Sequence, residues 1–447
     1  MKKVLALVLA LLMVLGLVAC AGGKETTVAE APVKEEPKAA EAAPAAEAAP
    51  AQVVDPVTAA EKPAESKDLA AIDTKTVYDD SEYASMTVAE LYEAAKAEGG
   101  KLVVYSESSS AEKTRAGFEE EFPGIEVEVS KYKNYDIAAK IPLEYDSDQL
   151  YCDLVIAGDS SGEKYNEWYD KGYIVAYVPA DLKDDMYADY LDYGLPISIE
   201  GDVWWYSKTM YPDGCPINNW WDVFDKNEDG SYKWHLYMHD ASNDTTCGML
   251  CNLVNLSDEL KAAYKEKYGT DFVATYDADE LGVEADNAGY EWLYQYLQSN
   301  YTVMNDSDEI LATVDKATEP SLGFGTSLKY GDTLEAGENV FFCLGMKPST
   351  GFAKVKYIYI VTKTDNPAAA RLFAIYSLGG ADGQGKGYGK WVERNGCYGT
   401  RYSHDDSTHS DVSLADLNIK PSNIGFVFEN RLDIQDFWTY YADKFAK

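Results

Sequence analysis

The chain has 447 residues, about three times the roughly 150-residue length expected of one domain, which sets aside a small disulfide-stapled knot and leaves room for one or two large cores. Its 76 acidic against 39 basic side chains give a formal charge of −37 at pH 7, a field that repels phosphate backbones and argues against nucleic-acid binding. Aromatic residues make up 13%, with 35 Tyr, far more than a disordered acidic chain carries, so the charge belongs to a folded surface.

In chain order, Lys2 and Lys3 precede an apolar run from Val4 to Ala19. The run is shorter than the ~20 residues of a membrane span, and residues 1–19 are expected to be a signal peptide. It closes on Leu17-Val18-Ala19-Cys20, which resembles the bacterial lipobox. That resemblance implies a palmitate-bearing Cys20 as the mature N-terminus; the alternative is ordinary cleavage nearby with Cys20 incidental. From 20 to about 75 the chain is rich in Ala, Pro, Glu and Lys, as in Ala42-Ala43-Pro44-Ala45-Ala46-Glu47. So little apolar surface cannot offset ordering entropy, and a disordered stalk is expected to space the domain at 76–447 from the membrane. The folded part is expected to begin near Met86, where Thr87-x-x-Glu90 has capping-box spacing ahead of an amphipathic stretch at 91–98, closed by Gly99-Gly100.

Beyond that glycine pair, short apolar strands alternate with helical patterns. Strands are expected over 101–105, 125–129, 153–157, 203–206, 234–238 and 355–361, and helices over 111–122, 288–298 and 367–378. Such alternation predicts an α/β fold with parallel strands joined by helical crossovers. Cys152, Cys215, Cys247, Cys251, Cys343 and Cys397 form an even set in an exported chain, compatible with up to three disulfides or with buried free thiols. No metal site is expected. Cys247-x3-Cys251 lacks the second pair of a zinc finger, and His235-x3-His239 falls on a strand, where residues four apart lie about 13 Å from each other. His404 and His409 read as part of an exposed polar loop at 403–410.

Several segments carry a family resemblance in their order along the chain. They are Leu91 to Ser106, then Phe118 with Pro123-Gly124-Ile125, then Asp153-Leu154-Val155-Ile156-Ala157. Trp204-Trp205-Tyr206-Ser207-Lys208 follows with Pro216 and Trp220-Trp221-Asp222, and finally Asn366-Pro367-Ala368-Ala369 with Gly383-Gln384. Together they resemble the extracellular solute-binding proteins of ATP-binding-cassette (ABC) importers, in the group of ferric-ion, thiamine, polyamine and phosphorylated-compound binders. The resemblance implies an α/β, two-lobed, periplasmic-binding-protein-like type 2 fold with a hinge and an interlobe ligand cleft. Lobe 1 would take approximately 100–195 and 340–380 and lobe 2 approximately 200–335, with the C-terminal helices unassigned. It implies a monomer without cofactor or catalysis, on the outer face of a bacterial cell membrane, that passes a small solute to an ABC permease.

Ligands of open α/β sheets sit beyond the carboxyl ends of strands, near helix N-termini. Ser108, Ser109 and Ser110 follow the first strand; Asp159, Ser160 and Ser161 follow the strand at 153–157. Asp240, Ser242, Asn243, Thr245 and Thr246 join the strand at 234–238 to a helix beginning near Thr245. The first two groups read as ligand contacts or as helix caps, and hydroxyls of the third could complete an anion site. Phe324 and Thr326 lie in a Gly-rich turn at 321–326, near a second loop at 348–351, and Trp205 and Tyr206 are candidates to stack on a sugar or to join the core.

The Ser- and Thr-rich strand ends lean toward an anionic or phosphorylated organic compound. A polyamine would use carboxylates and aromatic walls, both abundant. A ferric ion would call for an adjacent tyrosine pair in lobe 2, and the only Tyr-Tyr pair is Tyr440-Tyr441 near the C-terminus. A surface hydrolase or a glycan-binding adhesin is the reading from another class. No G-x-S-x-G or H-E-x-x-H motif supports the first, and β/α alternation opposes the tandem β modules of the second.

Overall fold

A capping box opens the first helix, as the Thr87 and Glu90 spacing predicts. The Glu90 N–H donates to the Thr87 hydroxyl at 3.3 Å and the Thr87 N–H to the Glu90 carboxylate at 2.8 Å, starting Val88–Ala97, whose Leu91 and Ala95 are buried. This computed structural model describes residues 75–380, 383 and 385–446, apart from the side chains of Asp244 and Thr245. The signal peptide expected at 1–19, Cys20 and the stalk expected to follow it lie, up to residue 74, outside the described residues. Ordered structure starts earlier than Met86. Tyr78 bridges to Ala176, and Asp79 accepts a hydrogen bond at 2.6 Å from the buried Arg371.

Among the described residues, twelve strands join in one sheet: β1 (Lys101–Ser106), β2 (Glu126–Lys131), β3 (Leu154–Gly158), β4 (Ile174–Val175), β5 (Leu195–Ser207), β6 (His235–Met238), β7 (Tyr301–Val303), β8 (Ser321–Thr326), β9 (Val340–Phe342), β10 (Gly351–Val361), β11 (Cys397–Tyr398) and β12 (Ile419–Lys420). The main path runs β2-β1-β3-β10-β5-β8-β6-β7. β1 is parallel to β2 and β3, and β6 is parallel to β7 and β8. Between these parallel halves stand the two longest strands, β5 and β10. They are antiparallel to each other and to their outer neighbours β8 and β3. Each thus serves both lobes, and their pairing shifts register between Lys356 and Tyr357.

Two departures from the sequence reading have clear physical causes. β5 is 13 residues long and buried throughout, rather than confined to 203–206. Pro196, Glu200, Gly201 and Asp202 hide it from a hydrophobic pattern, yet pairing of all four with β10, joined by β11 at Glu200 and β8 at Asp202, holds them in the strand. The expected turn at 321–326 is the buried strand β8. Gly323 sits there because the Ser307–Lys316 helix packs tightly over it: a Cβ would come within 2.6 Å of the Ile310 side chain.

Each half has its own core. In lobe 1, Leu91, Val104, Phe118, Ile156 and Phe373 pack together with the Pro367–Ser377 helix. Lobe 2 is aromatic, built on Trp204, Trp220, Trp221, Trp234 and Trp292, and the C-terminal helix Ile424–Phe445 packs onto it through Ile434, Phe437 and Trp438. A third cluster, with Tyr105, Trp205, Tyr357 and Tyr359, includes residues of both crossing strands. Of the two readings of the cysteines, the structure shows free thiols: all six are unbridged, and all but Cys215 are buried. No helix among the described residues is long and apolar enough to cross a membrane.

Candidate ligand-binding cleft

The carboxyl ends of the parallel strands of both halves open onto one cleft of about 890 Å³. From lobe 1 come Glu107, Ser108 and Ser109 after β1, Lys131 and Lys133 at the end of β2, and Gly158 and Ser160 at the end of β3. From lobe 2 come His239, Asp240, Ser242 and Asn243 after β6, Asn305 after β7, and Thr326 at the end of β8. Glu200 of β5 and Lys354 and Lys356 of β10 lie where the two lobes meet. Three helices, Ser110–Glu121, Asn134–Asp146 and Asp244–Asn255, begin at or directly after lining residues and turn their N-termini toward the space. The positive ends of their dipoles favour negative charge there.

The crossing strands supply a buried charge cluster. Lys354 faces Glu200 across the ladder, and residues i and i+2 of a strand share a face, so Lys356 joins them. Glu200 is almost wholly buried; its carboxylate lies 3.4 Å from the Lys354 ammonium, accepts a hydrogen bond from Lys356, and accepts another from the Thr326 hydroxyl at 2.7 Å. Burial by itself would raise the Glu200 pKa, but the two ammonium groups and these hydrogen bonds outweigh it and hold the carboxyl well below the usual range. Lys354 and Lys356 are raised in turn, because Glu200 and Glu107 overcome the desolvation that would lower them.

The cleft reverses the charge balance of the chain. Five basic side chains line it against three acidic ones, whereas the whole sequence has 39 against 76. Lys354 and Lys356 are partly neutralised by Glu200, and Arg394 pairs with Asp332 at 2.6 Å. Lys131 and Lys133 are exposed and form no ion pair among the described residues. A second hollow of about 260 Å³ shares His239, Asn243, Thr326 and Lys354 with the cleft and adds Thr246, Phe324 and Asp202.

The structure brings Ser108, Ser109, Ser160, Asp240, Ser242, Asn243 and Thr326 together in the cleft, with Thr246 and Phe324 on the adjoining hollow. Several of these also cap or turn the chain. Ser108 accepts the Ser110 N–H at 3.1 Å, and Asp240 accepts the Ser242 N–H at 2.8 Å, while Ser109 makes no side-chain capping bond. The side chain of Thr245 lies outside the described residues.

Other candidates serve the framework. Ser110 starts its helix and is not among the cleft-lining residues, and Ser161 is buried beside Ser160. Asp159 turns inward and accepts the N–H groups of Lys164 at 3.1 Å and Tyr165 at 2.8 Å, with the buried Lys164 ammonium 3.9 Å away. Desolvation raises its pKa against the pull of Lys164. Trp205 and Tyr206 join the core rather than stack on a ligand: Trp205 packs on Phe342 with ring centroids 4.5 Å apart and donates its indole N–H to Gly325 at 3.2 Å.

Sequence reasoning missed Lys131, Lys133, Glu200, His239, Lys354 and Lys356. The Lys354-Val355-Lys356 alternation at the head of an apolar strand was the available signal for two of them. The Tyr440-Tyr441 pair lies on the C-terminal helix, where Tyr441 packs on Phe445 and Tyr440 donates to Glu280. Among the described residues lining the cleft, Tyr135 is the one phenol.

No family model matches the sequence, and no curated protein matches it. Solved structures match it in fold. The apo ferric ion-binding protein A of Pasteurella haemolytica aligns with a TM-score of 0.55 at 12% identity, over 78% of this chain and 99% of its own. Iron-bound HitA from Pseudomonas aeruginosa aligns with a TM-score of 0.54 at 12% identity, over 76% and 99%. A GABA receptor protein aligns with a TM-score of 0.53 at 13% identity, over 76% and 97%. The chain therefore has the two-lobed, type 2 periplasmic-binding-protein-like fold that the motif order implies.

Proposed function

We propose that the chain is the solute-binding component of an ABC importer, held outside the cell membrane by lipid on Cys20, and that its ligand is a small organic anion, carboxylated or phosphorylated. The observation that carries the anionic reading is the charge reversal: basic side chains outnumber acidic ones in the cleft of a chain with a formal charge of −37. Hydroxyls of Ser108, Ser109, Ser160 and Ser242 stand ready to donate to the ligand's oxygens. A solute touching both lobes favours the closed arrangement because only differential contacts shift such an equilibrium. β5 and β10 are the strands that would bend. The closed form would then be what a permease recognises.

The same charge surplus disfavours a polyamine, and the single lining tyrosine disfavours a ferric site of the phenolate type. Thermal-shift and calorimetric titration with inorganic phosphate, a sugar phosphate, a dicarboxylate, spermidine and ferric citrate test the reading. One of the anions is expected to raise the unfolding temperature, since ligand at 100 times Kd adds about 2.7 kcal/mol. Lys131→Ala should weaken that anion about tenfold without altering the unliganded stability. Stabilisation by spermidine alone would overturn the anionic assignment, and silence across all classes would favour a hydrolase or adhesin.

A further inference from the structure

Outside the cleft, the loop following β11 gathers three side chains of metal-ligating type. Nε2 of His404 lies 3.5 Å from Oδ1 of Asp406, and Nε2 of His409 lies 3.7 Å from the same oxygen. One ligand atom from each of the three residues falls within 4.8 Å of the others. A tetrahedral ion with bonds of about 2.0–2.1 Å holds its ligand atoms roughly 3.3–3.4 Å apart, and both histidine contacts to Asp406 are close to that spacing.

Contrary to the exposed loop expected from sequence, the side chains of His404, Asp406 and His409 are 13%, 12% and 11% exposed. Nε2 of His404 is buried yet makes no hydrogen bond. Such an orphaned ring nitrogen is costly unless something else occupies its lone pair. The surroundings also fix the three groups. The His404 ring packs edge-on against Tyr388 at 5.0 Å, and Gly399 leaves it room, since a Cβ there would come within 2.6 Å of the ring. The Gly399 N–H donates to Asp406 at 2.9 Å, and the Thr408 hydroxyl lies 3.3 Å from Nδ1 of His409. Outer contacts of this kind orient first-sphere ligands.

We propose that His404, Asp406 and His409 form a binding site for a first-row divalent cation, Zn²⁺ foremost. Two imidazole nitrogens and one carboxylate oxygen suit that ion, with water in a fourth position. Nε2 of His409 also lies 3.3 Å from the Cys397 carbonyl; ligation selects the tautomer with the proton on Nδ1, facing Thr408. The site is a local brace rather than a cargo site: its three ligands span 404–409, and the Gly399 N–H held by Asp406 links that loop to the residue after β11, the strand that pairs with β5 at Glu200.

The test is calorimetric titration of the chelator-stripped full chain with ZnCl₂, with the visible absorption of Co²⁺ as a second readout. One equivalent and a tetrahedral Co²⁺ spectrum are expected. Asp406→Asn and His409→Gln should each weaken Zn²⁺ by more than the roughly 10–100-fold that outer-sphere partners supply. Both should keep the far-ultraviolet circular dichroism of the parent, and His235→Ala should leave Zn²⁺ binding unchanged. If Asp406→Asn does not fold, His409→Gln, which removes an edge ligand, carries the test. Absence of saturable uptake by the unaltered chain, uptake that survives both ligand substitutions, or uptake abolished by His235→Ala would overturn the proposal.

Discussion

Glu200→Gln keeps the volume of the side chain and removes its charge, leaving the Lys354 and Lys356 ammonium groups without the carboxylate between them. Glu200 is 2% exposed, Lys356 11% and Lys354 27%. Removing one partner of a buried ion pair costs about 3–5 kcal/mol, because the remaining charge stays desolvated. Water reaches Lys354 in part, so the lower end of that range, about 3 kcal/mol, is the expected loss at pH 7 in equilibrium urea unfolding.

The pH dependence carries a definite sign. The folded pKa of Glu200 lies below its unfolded value of about 4.3, so its contribution is fully present above that pH and is lost as the pH falls toward the folded value. The stability gap between parent and Glu200→Gln should therefore be flat near neutrality and narrow below about pH 4.5. A loss under about 1 kcal/mol, or a gap that widens on acidification, would refute the assignment of Glu200 as the charge that holds the crossing strands together.

Asp159→Ala should cost about 3–5 kcal/mol in the same assay, since it strands the buried Lys164 and two N–H groups. Ser109→Ala, at a position without a capping bond, should change stability by no more than about 0.5 kcal/mol while lowering anion affinity in calorimetry. Gly396→Ala should be far more damaging than Gly337→Ala in thermal unfolding. Both glycines have positive φ, but only at Gly396 would the new Cβ meet a backbone oxygen, that of Ser327, at 1.9 Å. The Gly337 change should cost only the left-handed penalty of about 1–2 kcal/mol. Thr87→Ala should remove about 1 kcal/mol through the lost cap, measurable by urea unfolding.

Local signals made much of the fold legible. The capping box at Thr87 and Glu90 starts its helix, and the periodic stretch at 288–298 is the helix Ala288–Gln298. β8 was hidden because its glycines look like a turn, and they are there to admit a helix that the local sequence does not mention. The same limit applies to the cleft. The serines after β1 and β3 could be placed from their position at strand ends, because that position follows from topology. Lys131, Glu200 and Lys356 come from three strands whose meeting depends on the order β2-β1-β3-β10-β5, and no local pattern encodes that order. Trp205 and Tyr206 could not be told from ligand platforms, because an aromatic on a strand looks the same whichever way the sheet is covered.

Trp204 and Trp205 are neighbours on one strand, so their indoles leave opposite faces of the sheet. Trp204 enters the lobe 2 core beside Trp220 and Trp292, and Trp205 enters the cluster with Phe342 and Tyr330 on the other side. The C-terminal end of β5 is thereby clamped above and below, like a bar held in a vice, and flexing falls to the rest of the strand, Leu195 to Asp202, together with the stretch of β10 paired to it. An optical consequence follows. These two indoles ride with the clamped end, so intrinsic tryptophan emission from them should stay nearly constant while the cleft opens and closes, and a dye at exposed Tyr135, on the far lip, would register the movement.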